Sequence, residues 1–154
     1  MGYNSMGADC ITNNLHFHLL CTDNLYSEEK NFPIEDAEKR MFFSSNLKHR
    51  NQDEINMYNC GVRFGELIGF PIRALLISPN IESEDTSLEE AQEALAHCVG
   101  VVLNHMIDAN MPHNLLVTDE GMTVYVIPRK FDMLLESNFY TSFESLCGFV
   151  KFKN

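Results

Sequence analysis

Apolar and polar residues alternate with a period of two over residues 14–21, NLHFHLLC. Leu15, Phe17 and Leu19 fall on one side and Asn14, His16 and His18 on the other, the pattern of a half-buried strand. Before it, residues 2–8 carry Gly2 and Gly7 around Tyr3-Asn4-Ser5, and read as an irregular strand or loop where backbone approaches something closely. Residues 22–60 are polar and broken by Pro33, and read as a long connection with a loop near 46–56. Glu66–Phe70 reads as a short helix ending at Gly69, and PIRALLIS, 71–78, as a strand. The clearest element is a helix from Ser87 to about Asn110. Ser87 and Glu90 form a capping box, and Leu88, Ala91, Leu95, Cys98/Val99, Val102 and Met106 make one apolar stripe at helical spacing. Pro112 closes it. NLLVT (114–118) and MTVYVIP (122–128) read as strands joined at Asp119-Glu120-Gly121, with positive φ expected at the glycine. GFVKF (148–152) is the last candidate strand. The order predicts an α+β fold, a mostly antiparallel sheet with one long helix packed on it.

Composition narrows the function classes. The 154 residues suit a single domain, 1–154, and 45% hydrophobic content is enough for a core. A net charge of −11 opposes binding to nucleic acid or to an anionic membrane surface. Any phosphate-bearing ligand must then be met by local donors. No stretch reaches the apolar length of a membrane span, and the polar start MGYNSMGADC is no secretory signal. Five scattered cysteines without a CxxC pair fit reduced thiols in a cytoplasmic setting.

The His-x-His pair carries the candidate chemistry. On a strand, side chains two apart point the same way, roughly 6–7 Å from each other. Such a row can be a solvated strand face or part of a metal site. No further histidine among His49, His97, His105 and His113 has a spacing that nominates it as an additional ligand. It can also be nucleophilic: a neutral imidazole attacks phosphorus to give a phosphoramidate, while polar neighbours hold the non-bridging oxygens. Arg73, Arg129 and Lys130, at strand ends, are either solvated or phosphate-directed.

The stretch GYNSMGADCITNNLHFHLL (2–20) resembles the catalytic segment of the GDP-hexose phosphorylases. These are the plant GDP-L-galactose and animal GDP-D-glucose phosphorylases, in the galactose-1-phosphate uridylyltransferase-like branch of the histidine triad superfamily. FPIEDA (32–37), GVRFGELIGFPIRALLIS (61–78), MPHNLLVTDEGMTVYVIPRKF (111–131) and FESLCGFVKFK (143–153) are similar to further family blocks, in family order. The resemblance implies a histidine-triad-like fold with His16 as covalent nucleophile. His16 would take GMP from a GDP-hexose, release hexose 1-phosphate, and pass GMP to inorganic phosphate, with no metal or redox cofactor. Asn4 and Ser5 match the polar pair of GYNS, and Asn114 matches a family asparagine, so all three are candidates for substrate binding, with Arg73 and Arg129 beside them.

Two residues depart from the pattern. Asn14 stands where the family has a histidine, and cannot carry a proton at neutral pH. His18 stands where phosphorylases carry glutamine; the hydrolase branch has histidine there, able to act as a general acid. The family also has a substantial segment ahead of GYNS, whose strands belong to the same sheet. By that resemblance, without those strands the edge beside residues 2–20 would be open, for a preceding segment or another chain to complete. Three readings follow: a GDP-hexose phosphorylase-like transferase, a histidine-triad nucleotide hydrolase, and a non-catalytic nucleotide-binding or structural homologue.

Overall fold

The computed structural model describes residues 1–5, 17–19, 31–45, 61–81, 87–129 and 147. These build one sheet: β1 (Gly2–Asn4), β2 (Phe17–His18), β3 (Glu38–Ser44), β4 (Val62–Ile68), β5 (Leu75–Pro79), β6 (His113–Thr118) and β7 (Thr123–Pro128). A one-turn helix, α1 (Pro33–Asp36), precedes β3, and the long helix α2 (Leu88–Asp108) follows β5. The strand order is β2-β1-β6-β7-β5-β4-β3, and each neighbouring pair is antiparallel. The α+β expectation therefore holds.

Helix α2 forms for the local reasons its sequence gives. Ser87 Oγ accepts the Glu90 N–H at 3.2 Å, and the Glu90 carboxylate accepts the Ser87 N–H at 3.0 Å, so two otherwise orphaned donors are satisfied. Its stripe of Leu95, Cys98, Val99 and Met106 is buried against Val62, Ile77, Val124 and Val126 of the sheet. Burying each large aliphatic side chain there contributes about 1.5–3 kcal/mol. Leu88 departs from the stripe and is exposed, because it sits in the first turn ahead of the contact with the sheet. The other face of the sheet carries Leu67, Leu76, Leu116, Tyr125 and Ile127. Phe32, Ile34 and Cys147 cover them.

Several expectations need correction. Glu66–Phe70 is not a helix: Glu66, Leu67 and Ile68 end β4, and Gly69, at φ +68°, makes the turn. The ladder to β3 and β5 supplies hydrogen bonds that so short a helix lacks. The polar connection 22–60 holds a seven-residue strand, β3. EKRMFFS does not alternate because β3, outermost among the described strands, is exposed along most of its length and so has little buried face to pattern its sequence. The register slips between Met41 and Phe43, a bulge that leaves Phe42 exposed. Here Gly65 is required: a Cβ would lie 2.9 Å from the Arg40 carbonyl oxygen. PIRALLIS is extended only from Leu75 onward. The strand at 14–21 is described only at Phe17 and His18, and 148–152 lies outside the described residues. The expected apolar side of that strand is not buried where it is described: Phe17 is 53% exposed and Leu19 80%. Phe17 packs on Tyr3, with ring centroids 5.7 Å apart.

The β6–β7 hairpin matches expectation, with Thr118 opposite Thr123. Its turn is more left-handed than expected. Asp119 (φ +52°), Glu120 (φ +51°) and Gly121 (φ +93°) all have positive φ, and Met122 N donates to Asp119 O at 2.8 Å.

Candidate functional site

Antiparallel pairing sets Asn4 of β1 directly opposite Asn114 of β6. Leu115 and Val117 pack toward α2, so alternation turns Asn114 and Leu116 to the opposite face, and Asn4 with them. Both asparagines are buried, and a buried amide must be hydrogen-bonded to avoid a desolvation cost of about 1–3 kcal/mol. Asn114 Nδ2 donates to Asn4 Oδ1 at 2.6 Å, and Arg129 Nη1 donates to Asn114 Oδ1 at 3.4 Å. This fixes the polarity of the row. The guanidinium can only donate, so Asn114 turns its oxygen to Arg129 and its amide nitrogen to Asn4. Asn4 then accepts through oxygen and presents its own NH2 as the donor end.

Two backbone clamps hold the row. Ser5 N donates to His113 O at 2.9 Å, while His113 N donates to Ser5 Oγ at 2.7 Å. Arg129 N donates to Pro112 O at 2.7 Å, which ties the exit of β7 to the entry of β6. The His113 ring is buried beside Tyr3 at 6.3 Å. Its Nδ1 lies 3.0 Å from Met111 O, and a carbonyl only accepts, so Nδ1 carries the proton in the neutral ring. Sequence reasoning weighed His113 only as a metal ligand. Its place at the head of an apolar run, just after Pro112, was the available signal for a buried structural imidazole.

The structure thus brings together Asn4, Ser5, Asn114 and Arg129, which come from three strands or their ends. His18 shares their face: it is opposite Gly2, two residues along β1 from Asn4, and exposed. Arg73 stands apart; it is exposed, and no hydrogen bond joins it to the row among the described residues. Asn14, His16 and Lys130 lie outside the described residues. No cluster of three or more metal-ligating side chains occurs among the described residues. Cys98 and Cys147 are buried. No described helix is long and apolar enough to cross a membrane.

Tyr125 supports this face from below. Its hydroxyl is 3.4 Å from Ile34 O, to which it donates. Its pKa is pushed up to about 12, first by burial, then by the negative charge of Glu35, with the Thr118 hydroxyl acting the other way.

Comparison with known proteins follows the same map. The curated relatives include GDP-L-galactose phosphorylase 2 of Arabidopsis thaliana, 30% identical over 129 residues. GDP-L-galactose phosphorylase 1 of the same plant is 27% identical over 129 residues. Each alignment covers 84% of this chain and 23% of the relative, so the chain spans about a quarter of their length. No solved structure matches. Residues 46–154 match the family described as "GDPGP1-like, C-terminal domain". The match begins after β3, yet β1 and β2 pair into the same sheet, and β1 brings Asn4 to its Asn114 and Ser5 to its His113. A match over most of the chain, from β4 through the hairpin that holds Asn114 and Arg129, makes the chain a member of the GDPGP1-like C-terminal domain family.

Proposed function

We propose that this chain carries the phosphoryl-transfer strand of a GDP-hexose phosphorylase, moving GMP from a GDP-hexose to inorganic phosphate through His16. The observation that supports it best is the hydrogen-bonded row Asn4–Asn114–Arg129, a set of donors on the face shared by His18 in a chain of net charge −11. In the first displacement an imidazole nitrogen of His16 attacks the α-phosphorus. The P–O bond to the β-phosphate breaks, and hexose 1-phosphate leaves with that electron pair. In the second, an oxygen of inorganic phosphate attacks the same phosphorus, the P–N bond breaks, and GDP departs. Charge builds on the non-bridging oxygens in both steps, and Asn4 Nδ2 and the Arg129 guanidinium are donors suited to hold it. Asn14 orients the strand by hydrogen bonding. His18, in place of glutamine, sets the choice between phosphate and water as acceptor. Another chain or a further segment, pairing beside β2, is the partner this reading assigns to complete the sheet.

The test is incubation with GDP-glucose and GDP-galactose, with and without phosphate. GDP formed only with phosphate, and a GMP adduct lost in His16→Ala, is the expected result. GMP released in water favours the hydrolase reading, for which exposed His18 is the supporting observation. No adduct and no turnover, where a full-length relative reacts, favours a non-catalytic homologue. His16→Ala should lower turnover at least about a thousandfold; turnover that survives it would remove the mechanism.

A further inference from the structure

The far end of the same sheet face holds a pocket of about 280 Å³, close to the lower size of small-molecule sites. From Asn114 to Thr118, β6 runs some 13 Å, so this pocket is separate from the asparagine row. Arg63, Lys39, Ser78 and Thr123 line it. Arg63 and Ser78 are register partners on β4 and β5, and Lys39 comes from β3.

Arg63 is the anomaly. Its Nη2 donates to Pro79 O at 3.3 Å, but its Nε is buried and has no hydrogen-bond partner among the described residues. A buried charged donor left unpaired is costly, and an incoming acceptor removes the cost. Lys39 Nζ donates to Glu35 O at 2.8 Å, a neutral carbonyl, and no carboxylate is ion-paired with it among the described residues. Asp119 is the opposing carboxylate in the lining, and the Thr123 hydroxyl donates to it at 3.4 Å. Two cations face one carboxylate, a local reversal of the sign of the whole chain. Met41, Ile81 and Met122 make the remaining wall apolar.

We propose that this pocket binds a small organic anion: an oxyanion head, phosphoryl or carboxylate, on Arg63 and Lys39, with a compact apolar body against Met41 and Ile81. A guanidinium with an open Nε–H suits either head group. The apolar wall selects against a bare inorganic ion. The site does not depend on GMP transfer.

Amide NMR titrations of the chain with phenyl phosphate, benzoate and inorganic phosphate test this. Saturable shifts at the amides of Ser78, Met122 and Thr123 are expected with phenyl phosphate or benzoate, and the tighter of the two identifies the head group. Arg63→Gln and Lys39→Gln should each weaken that binding about tenfold, the effect of one charge-assisted contact. Lys39 is exposed, so its variant remains informative if Arg63→Gln does not fold. Arg129→Gln should leave the binding unchanged. No saturable shift at those amides would overturn the proposal, as would full binding in Lys39→Gln. Inorganic phosphate binding as tightly as phenyl phosphate would also overturn it.

Discussion

The two ends of β6 are built on opposite terms. At its start, buried side-chain amides are held by one another, by Arg129 and by paired backbone bonds to Ser5. At its finish the chain turns through three consecutive residues of positive φ, two of them not glycine. The first end concentrates satisfied polar contacts; the second accepts backbone strain of about 1 kcal/mol or more per non-glycine residue. Polar side chains fixed this tightly suit a site that must present donors in one geometry.

If that contrast is right, the largest effect belongs to Asn114. Asn114→Ala takes the donor from buried Asn4 Oδ1 and an acceptor from half-buried Arg129, and should lower unfolding free energy by about 2–4 kcal/mol in urea titrations. A loss below about 1 kcal/mol would mean the row is not the rigid end. Tyr125, on β7 opposite Leu116 in the middle of β6, gives the next effect, through pH. Its folded value of about 12 lies above the unfolded value of 10.0, so the folded state keeps a proton that the unfolded state gives up. Stability should be fully present below pH 10 and fall by roughly 2–3 kcal/mol as pH rises toward 12. Tyr125→Phe should flatten that slope, as read by denaturant midpoints across the window.

The strained end should respond with the opposite sign. Glu120→Gly relieves a left-handed glutamate at some cost in unfolded-state entropy, for a net gain on the order of 0.5 kcal/mol, visible as a raised melting temperature. The smallest effect lies at the outer edge. The Arg40–Glu66 ion pair joins two exposed side chains, and Arg40→Ala should change stability by less than about 0.5 kcal/mol, with salt masking even that.

Much of the candidate site was legible at the level of single residues and not as an assembly. Asn4, Ser5, Asn114 and Arg129 were each singled out by resemblance or by position at a strand end. Their union was not readable, because Asn4 and Asn114 are 110 positions apart and only strand pairing sets them opposite. Arg73 had the same warrant as Arg129 and stands apart from the row. Nothing local separates two arginines at strand ends when the difference is which strand continues beside them.

The sequence by itself determined α2, with its capping box and apolar stripe, and the hairpin with its glycine turn, because both rest on interactions between residues a few positions apart. Only the tertiary structure decided that Glu66–Ile68 is strand, that EKRMFFS forms an outer strand, and that Asn4 meets Asn114. Those outcomes depend on ladder hydrogen bonds and burial supplied by distant segments, and such terms outweigh local propensity wherever the local signal is short.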